Sequence, residues 1–570
     1  MLAVLVPRGP DDEGKYFDGG LGLGHRRLSI IDLSERSHQP MVDKNAGVSL
    51  VFNGTIYNYR ELRQQLIRKG HAFFSDGDTE VILRSWLEWG EDCVTQFSGM
   101  FAFALWDSNA RKLFLARDRL GIKPLYYSRT ANALRFASNP QALLAAGNVD
   151  TRIDPVALHH HFHLHAVVPA PRTVLRGVRK LSPATTMSID ASGKTRLNRY
   201  WDYPARRPDV AMTEDEWLDA VHDALTAAVE RRRLASDVPV GVLLSGGLDS
   251  SLLVALLCEA GVTNLKTFSV GFEDMPEEKG NEFEYSDQVV DRYQTEHYKF
   301  HIHNEDVIRR LPEAITHMAE PMVGQDAIAF YLLSEQVSRE VKVVQSGQGA
   351  DEVFGGYFWY PKMQQASGPE VERFRQNYFD RDHNEYLAMV QPALHGPDYT
   401  EAKISALLKN ADADDYIDKV LHLDVTTLIV DDPVKRVDNM TMAWGLEARV
   451  PFLDHSLVEL AARMPAELKL ASGGKHILKR IARGRVPDGV IDRPKGYFPV
   501  PALKYVRGEF LDFMKDILNS AACRHRGLYQ RGYVEHLLAA PDRHFTRILG
   551  SKLWHLALLE YWLQQNVDGA

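Results

Sequence analysis

The sequence predicts two unlike domains in series: an α+β domain over residues 1–150 and, after a connecting segment at 151–212, an α/β domain with a helical C-terminal part over 213–570. Three observations carry this. The early apolar runs VSLVFNG and MFAFALWD are short, aromatic and β-branched, and they alternate with two segments of helical period, YRELRQQLIRKGH and TEVILRSWLEWG. The second half repeats buried strands and helices, VPVGVLL, SLLVALLCEAG, TFSVGF and VKVVQ, the pattern of a parallel sheet covered on both faces. From residue 365 onward the pattern is almost wholly helical.

Between the halves, VVPAPRTVL is interrupted by proline, and YPARRPD reads as a linker by composition. Thr213 followed by Glu216 is a capping-box pattern, and Trp217, Val221, Leu225 and Val229 fall in one i,i+4 row, so a core-facing helix starts there. The most informative segment is VGVLLSGGLDSSLLVALL, Val240 to Leu257. A buried strand ends at Leu244, a loop of glycine, serine and aspartate follows, and an apolar helix is expected from Ser251. Such a loop offers free backbone N–H groups and the positive end of a helix dipole to an anion. Gly246 and Gly247 allow close approach, Ser245, Ser250 and Ser251 add hydroxyl donors, and Asp249 is a hard oxygen ligand suited to Mg²⁺. The Walker A pattern GxxxxGK[ST] is absent, so transfer of a terminal phosphoryl group is not expected.

Composition narrows the partners. The 570 residues are 45% hydrophobic and 25% charged, as in ordinary globular proteins, with a net charge of -9. That balance removes the attraction that usually draws proteins to nucleic acid or anionic lipid and points to small-molecule substrates. Cys93, Cys258 and Cys523 share no metal or disulfide spacing, and no apolar run reaches the about 18 residues of a membrane span. A cytoplasmic protein without signal peptide or anchor is expected.

SGGLDSS resembles the pyrophosphate-binding loop of the asparagine synthetase family of ATP pyrophosphatases, and the likeness extends through TFSVGF, VVQSGQGADEVFGGY, VDNMTMAWGLEARVPFLD and RPKGYFPVP. The resemblance implies ATP and Mg²⁺. It puts Leu243, Ser245, Gly246, Gly247, Asp249, Ser250, Ser251, Val270, Ser346 and Gly347 around the nucleotide, Asp249 on the metal, and Asp351 on the metal or on the acceptor side. Lys495 would touch the departing phosphates, and Gln348 stands in the loop serving the ammonia-attack step.

The first domain carries RGPDDEG, GHRRLSIIDLS, VFNGTIYNYRELR, DGDTEVIL and ARDRLGIKPLYY, which together resemble the class II glutamine amidotransferase domain, an αββα sandwich of the Ntn type. By that likeness Arg27 takes the α-carboxylate of glutamine, Asn53 and the backbone of Gly54 form the oxyanion hole, and Asp78 holds the α-amino group. Two departures stand out. Thr55 occupies a position where asparagine synthetases usually have glutamate. The family begins Met-Cys-Gly-Ile, whereas here Arg8 is preceded by seven residues without cysteine, which favours a start codon chosen too far downstream over an ammonia-only enzyme. Cys93 is read as a structural thiol.

The expected reaction is adenylation of a carboxylate with release of pyrophosphate, then attack by ammonia arriving through an intramolecular channel. SGQG replaces the usual SGEG, and Gln348 cannot act as a base. With HFHLHAVVPAPRTVLRGVRKL and GNEFEYSD, this resembles the branch that amidates N-acetylglutaminylglutamine to make an osmolyte. Aspartate is the alternative acceptor, and an inactive ATP-binding scaffold is the alternative of another class. The partners implied are glutamine or ammonia, ATP and the carboxylate, with a homodimer compatible. The run HHHFHLH, His159 to His165, is discounted as a metal site because no acidic residue stands near it in sequence. EDMPEEKG, Glu273 to Gly280, reads as a solvated loop, and Trp554, Leu558 and Trp562 as core.

Overall fold

A computed structural model describes residues 1–493 and 500–569. Its first part is built on strands β1 (Asp12–Asp18), β2 (Leu21–Arg27), β3 (Met41–Asp43), β4 (Val48–Ile56), β5 (Gly99–Asp107), β6 (Lys112–Arg117), β7 (Tyr126–Arg129), β8 (Leu134–Ala137), β9 (Arg179–Lys180), β10 (Thr185–Ile189) and β11 (Thr195–Arg199). One antiparallel sheet has the order β11-β10-β6-β5-β4-β3, a second has β8-β7-β9, and β1 pairs with β2 as a hairpin. Alternation along each strand sorts the side chains. Leu23, Val51, Ala102, Ala104, Leu115 and Met187 meet in one buried cluster between the sheets. Leu50, Phe52, Phe103 and Phe114 face the other way, onto helices α1 (Tyr59–Arg68) and α2 (Asp78–Trp89). After α3 (Cys93–Gln96), the short helix α4 (Pro140–Leu144) packs on β7 and β8, completing the four-layer αββα order of an Ntn-type domain. The hairpin β1–β2 does not stand out in the sequence, because three of its fourteen residues are turn-forming glycines and most of its side chains are polar.

The stretch read as a connector, 151–212, is itself structured: it begins with α5 (Pro155–His163), supplies β9 to the second sheet, and gives β10 and β11 to the first. The capping box at Thr213 is formed, with Thr213 Oγ1 accepting from the Glu216 N–H at 3.3 Å, and it opens α6 (Glu214–Leu234). Trp217, Val221, Leu225 and Val229 of α6 are buried.

Next come β12 (Val240–Leu243), α7 (Leu248–Glu259), β13 (Lys266–Phe272), α8 (Phe283–Tyr293), β14 (Glu296–Ile302), α9 (Asn304–His317), α10 (Asp326–Val337), β15 (Val343–Gln345), α11 (Ala350–Phe354) and, far along the chain, β16 (Glu447–Arg449). The sheet is parallel, in the order β14-β13-β12-β15-β16. Strand order reverses on either side of β12, so the loops leaving β12 and β15 diverge and open a crevice at the C-terminal edge of the sheet. β14 and β16 escape a periodicity reading for different reasons. β14 is a half-exposed edge strand rich in polar residues, and β16 buries a charged pair, Glu447 and Arg449, instead of apolar side chains.

The two domains meet through buried charges. Asp438 accepts from Arg8 and from Lys123 at 3.0 Å each, and Thr55 Oγ1 donates to Glu447 Oε1 at 3.0 Å. Removing one member of such a set strands the other charge, at a cost of about 3 to 5 kcal/mol, so the interface is fixed in register.

Candidate active site

The first cavity, of about 620 Å³, opens between the sheets of the N-terminal domain and residues Met442 and Glu447 of the second domain. Arg27, Asn53, Gly54, Thr55 and Asp78 all line it. Arg27 ends β2 and donates to the backbone carbonyl of Ser34 at 3.1 Å and to that of Ile31 at 3.3 Å, which fixes the guanidinium at the cavity wall. Asn53 Nδ2 is buried with no hydrogen-bond partner among the described residues, a donor left for a ligand oxygen. Gly54 has φ +140, and a Cβ there would lie 2.0 Å from the Met100 carbonyl oxygen, so only glycine fits.

Asp78 is the first residue of α2 and accepts from the Ile56 N–H at 3.0 Å. Burial pushes its carboxyl up to about 7; the Ile56 N–H opposes this, and the Glu447 carboxylate adds to it. It is thus poised to ionise when an ammonium group arrives. Thr55 faces Glu447, the nearest carboxylate it touches, and also accepts from Arg449 at 3.2 Å. Glu447 was not singled out in the sequence, yet it lines this cavity. Burial alone would raise its carboxyl, but Lys123 and Arg449 outweigh burial and hold it below its usual value. Among the described residues no cysteine lines the cavity. Cys93 lies in the core, its thiol pushed far up by burial.

The second cavity, of about 460 Å³, sits in the crevice of the parallel sheet. Leu243, Ser245, Gly247, Asp249, Ser250, Ser346, Gly347, Gln348 and Asp351 line it. Gly246, Ser251 and Val270 do not. Gly246 turns the loop at φ +74 with Ser286 behind it, while Ser251 and Val270 are buried in α7 and β13. The helix begins at Leu248, three residues earlier than expected, so Asp249, Ser250 and Ser251 occupy its first turn, where acidic and hydroxyl residues are favoured. Ser245 Oγ lies 3.1 Å from Ser250 Oγ and accepts from the Gly247 N–H at 3.3 Å, which holds the loop open. Lys495 lies outside the described residues.

Lys475 is the residue that sequence reasoning missed. It follows Ser472, Gly473 and Gly474, all with positive φ, and is itself at φ 56, so the backbone is bent to deliver one side chain. Lys475 Nζ stands 2.5 Å from Asp249 Oδ2 and 2.9 Å from Asp351 Oδ1. Burial would lower its pKa, but the two carboxylates outweigh burial and raise it, so it stays charged. The signal available was a lysine after two glycines, which is weak. The ammonium shows that Asp249 and Asp351 converge on a single cation-sized point, and two carboxylates with one ammonium leave a net negative charge there. Hard oxygen donors of this kind fit Mg²⁺. Lys479 and Arg493 add positive charge to the same wall.

The strand β16 joins the cavities: Glu447 lines the first, and the Arg449 carbonyl accepts from the Ser346 N–H at 2.9 Å at the edge of the second. Among the described residues no helix is long and apolar enough to cross a membrane.

Comparison with known proteins gives two matching family models, "Asparagine synthase" over residues 220–564 and "Glutamine amidotransferase domain" over residues 1–201. The chain is 32% identical to "Asparagine synthetase [glutamine-hydrolyzing] 1" of Bacillus subtilis, covering 100% of this chain and 93% of that protein. It is 31% identical to "Asparagine synthetase [glutamine-hydrolyzing] 3" of the same organism, over 99% and 95%. "Amidase chry2" of Gibberella zeae is 26% identical over 92% and 88%.

Proposed function

The chain belongs to the asparagine synthase family, whose members are ATP-dependent, and from that premise we propose that it adenylates the carboxylate of an acetylated dipeptide and converts it to an amide. It is a ligase of the glutamine-hydrolysing type that forms C–N bonds. The single observation that carries the reaction is the convergence of Asp249, Asp351 and Lys475 at the mouth of the SGGLDSS loop. A carboxylate oxygen of the acceptor attacks the α-phosphorus of ATP, the bond to the β-phosphate oxygen breaks, and pyrophosphate leaves. The nitrogen of ammonia then attacks the acyl carbon, the carbon–oxygen bond to AMP breaks, and a proton is lost.

Each part of this chain has a task in that sequence. Ser245, Gly247 and Ser250 receive the pyrophosphate at the start of α7, and Lys475 balances its charge. Asp249 and Asp351 would hold Mg²⁺, which when bound withdraws charge from the phosphate oxygens. In the first cavity Arg27 and Asp78 take the two ends of the glutamine head group, and Asn53 with Gly54 receives the oxyanion. Ammonia passes along β16 from one cavity to the other. Gln348, a neutral residue in the β15 loop, favours a neutral peptide-bearing acceptor over aspartate, which remains the second reading.

Because no cysteine among the described residues lines the first cavity, a polypeptide of these 570 residues is expected to form amide from ammonium and to release no glutamate from glutamine. Amide and glutamate are measured side by side with each nitrogen source. Amide formation with neither source would overturn the proposed function. Glutamate release matching amide formation would contradict the reading of the first cavity.

A further inference from the structure

The loop that enters α8 stands beside the SGGLDSS loop, and the two are packed closely. A Cβ on Gly246, which has φ +74, would lie 2.8 Å from the Ser286 backbone nitrogen and 3.1 Å from the Glu282 carbonyl oxygen. Glu282 is the residue just before α8, and its side chain does not cap that helix. It accepts instead from Arg493 Nη2 at 3.0 Å. The Arg493 guanidinium also lies over the Tyr285 ring, 4.4 Å from its centroid, so two residues at the start of α8 fix its place.

That place is the mouth of the phosphate loop. Arg493 lines the second cavity, and its Nη2 stands 3.5 Å from where a Cβ on Gly247 would be. Gly247 immediately precedes α7, so the guanidinium sits at the positive end of that helix dipole, where a cation is disfavoured and an anion favoured. One carboxylate does not use up the fork. A guanidinium carries five N–H donors, and the one hydrogen bond that Arg493 makes among the described residues goes to Glu282. Its side chain is only 9% exposed, so the remaining donors have little water to bond. A buried fork with donors to spare, held against a helix dipole, is arranged for an anion with several oxygens.

The same loop holds the chain farther on. Lys504 Nζ lies 2.7 Å from Glu278 Oε2, and Arg507 Nη2 lies 2.7 Å from Glu277 Oε1. The acidic stretch Glu273 to Gly280, read from the sequence as a solvated loop, therefore belongs to a row of ion pairs that runs inward from the exposed Arg507 to the buried Arg493.

We propose that Arg493 binds the β- and γ-phosphates of ATP, which leave as pyrophosphate, and that Glu282 and Tyr285 are positioning residues that hold its guanidinium over the loop. This assignment rests on the second cavity being the ATP site. Arg493 and Lys475 differ in what they offer: the lysine meets phosphate as a point charge, and the arginine fork takes two oxygens at once.

The full chain is titrated in a calorimeter with inorganic pyrophosphate in the presence of Mg²⁺, and with AMP as a second probe. Arg493→Met is expected to weaken pyrophosphate binding about 10- to 100-fold and to leave AMP within a factor of about three. Glu282→Ala is expected to weaken pyrophosphate about 3- to 10-fold when Arg493 is present and not at all in the Arg493→Met background. Glu282→Gln, whose amide oxygen still accepts from the guanidinium, should bind nearly as wild type does. A merely structural role for Glu282 would give the same loss in both backgrounds, and that result would remove it as a positioning residue. Pyrophosphate bound by Arg493→Met as tightly as by wild type, or AMP and pyrophosphate weakened alike, would overturn the assignment and leave the ATP site standing. Wild type that binds neither ligand would overturn the ATP site itself and this assignment with it.

Discussion

Changing Asp249 to Asn is expected to slow acceptor-dependent pyrophosphate release by roughly 30- to 1000-fold, or about 2 to 4 kcal/mol of transition-state stabilisation. The substitution keeps the shape of the side chain and removes its charge. Asp249 and Asp351 share Lys475, so losing one carboxylate takes the point between them from net negative to neutral. A divalent cation then has one charged oxygen fewer to hold it against water, and pyrophosphate meets an ammonium that is less well oriented. Release is followed in the presence of acceptor, with the thermal midpoint measured on the same sample to confirm folding. A rate within a factor of about three of wild type would remove Asp249 from the phosphate site.

N-acetylglutaminylglutamine is expected to stimulate pyrophosphate release far more than aspartate, by up to about 10⁴-fold, because a site built around specific hydrogen bonds leaves its polar groups unmatched when the ligand lacks the partners. Aspartate is small and doubly charged and calls for a compact set of cationic and amide partners. Gln348, on the wall of the second cavity, can both donate to and accept from a peptide group. The acidic residue next along α11, Glu352, does not supply a charge for a small acceptor to avoid or exploit. Burial, followed by the Asp351 and Asp424 carboxylates, pushes it up to about 8, and Tyr357 donates to it at 2.7 Å. Equal or better stimulation by aspartate would return the acceptor to that amino acid and leave Gln348 without a physical account.

How much of this was legible in the sequence depended on whether a signal was local. The SGGLDSS loop, the capping box at Thr213 and the alternating runs of β4 and β5 are local patterns, and the structure holds each in the expected element. The start of α7 escapes a reading of apolar period because three residues of its first turn, Asp249, Ser250 and Ser251, are polar. Residues whose meaning depends on distant partners were invisible. Glu447 and Thr55 are 392 positions apart, Lys475 and Asp249 are 226 apart, and nothing in either neighbourhood announces the other. The histidine run illustrates the same limit from the other side, since Asp398 and His383 reach it only through the packing of α5 on the C-terminal helices. The first cavity's residues were legible as a set because four of them, Arg27, Asn53, Gly54 and Asp78, lie in short motifs at the ends of β2, β4 and α2.

The central claim is that this chain activates a carboxylate by adenylation, and the most direct measurement follows the carboxylate oxygens. N-acetylglutaminylglutamine labelled with heavy oxygen in its reacting carboxylate is turned over with ATP and ammonium, and the nucleotide and phosphate products are examined by mass spectrometry. Adenylation leaves one carboxylate oxygen on phosphorus when the amide forms, so the label is expected in AMP, with unlabelled pyrophosphate. Label in orthophosphate accompanied by ADP, or amide formed with no label in AMP, would contradict the account.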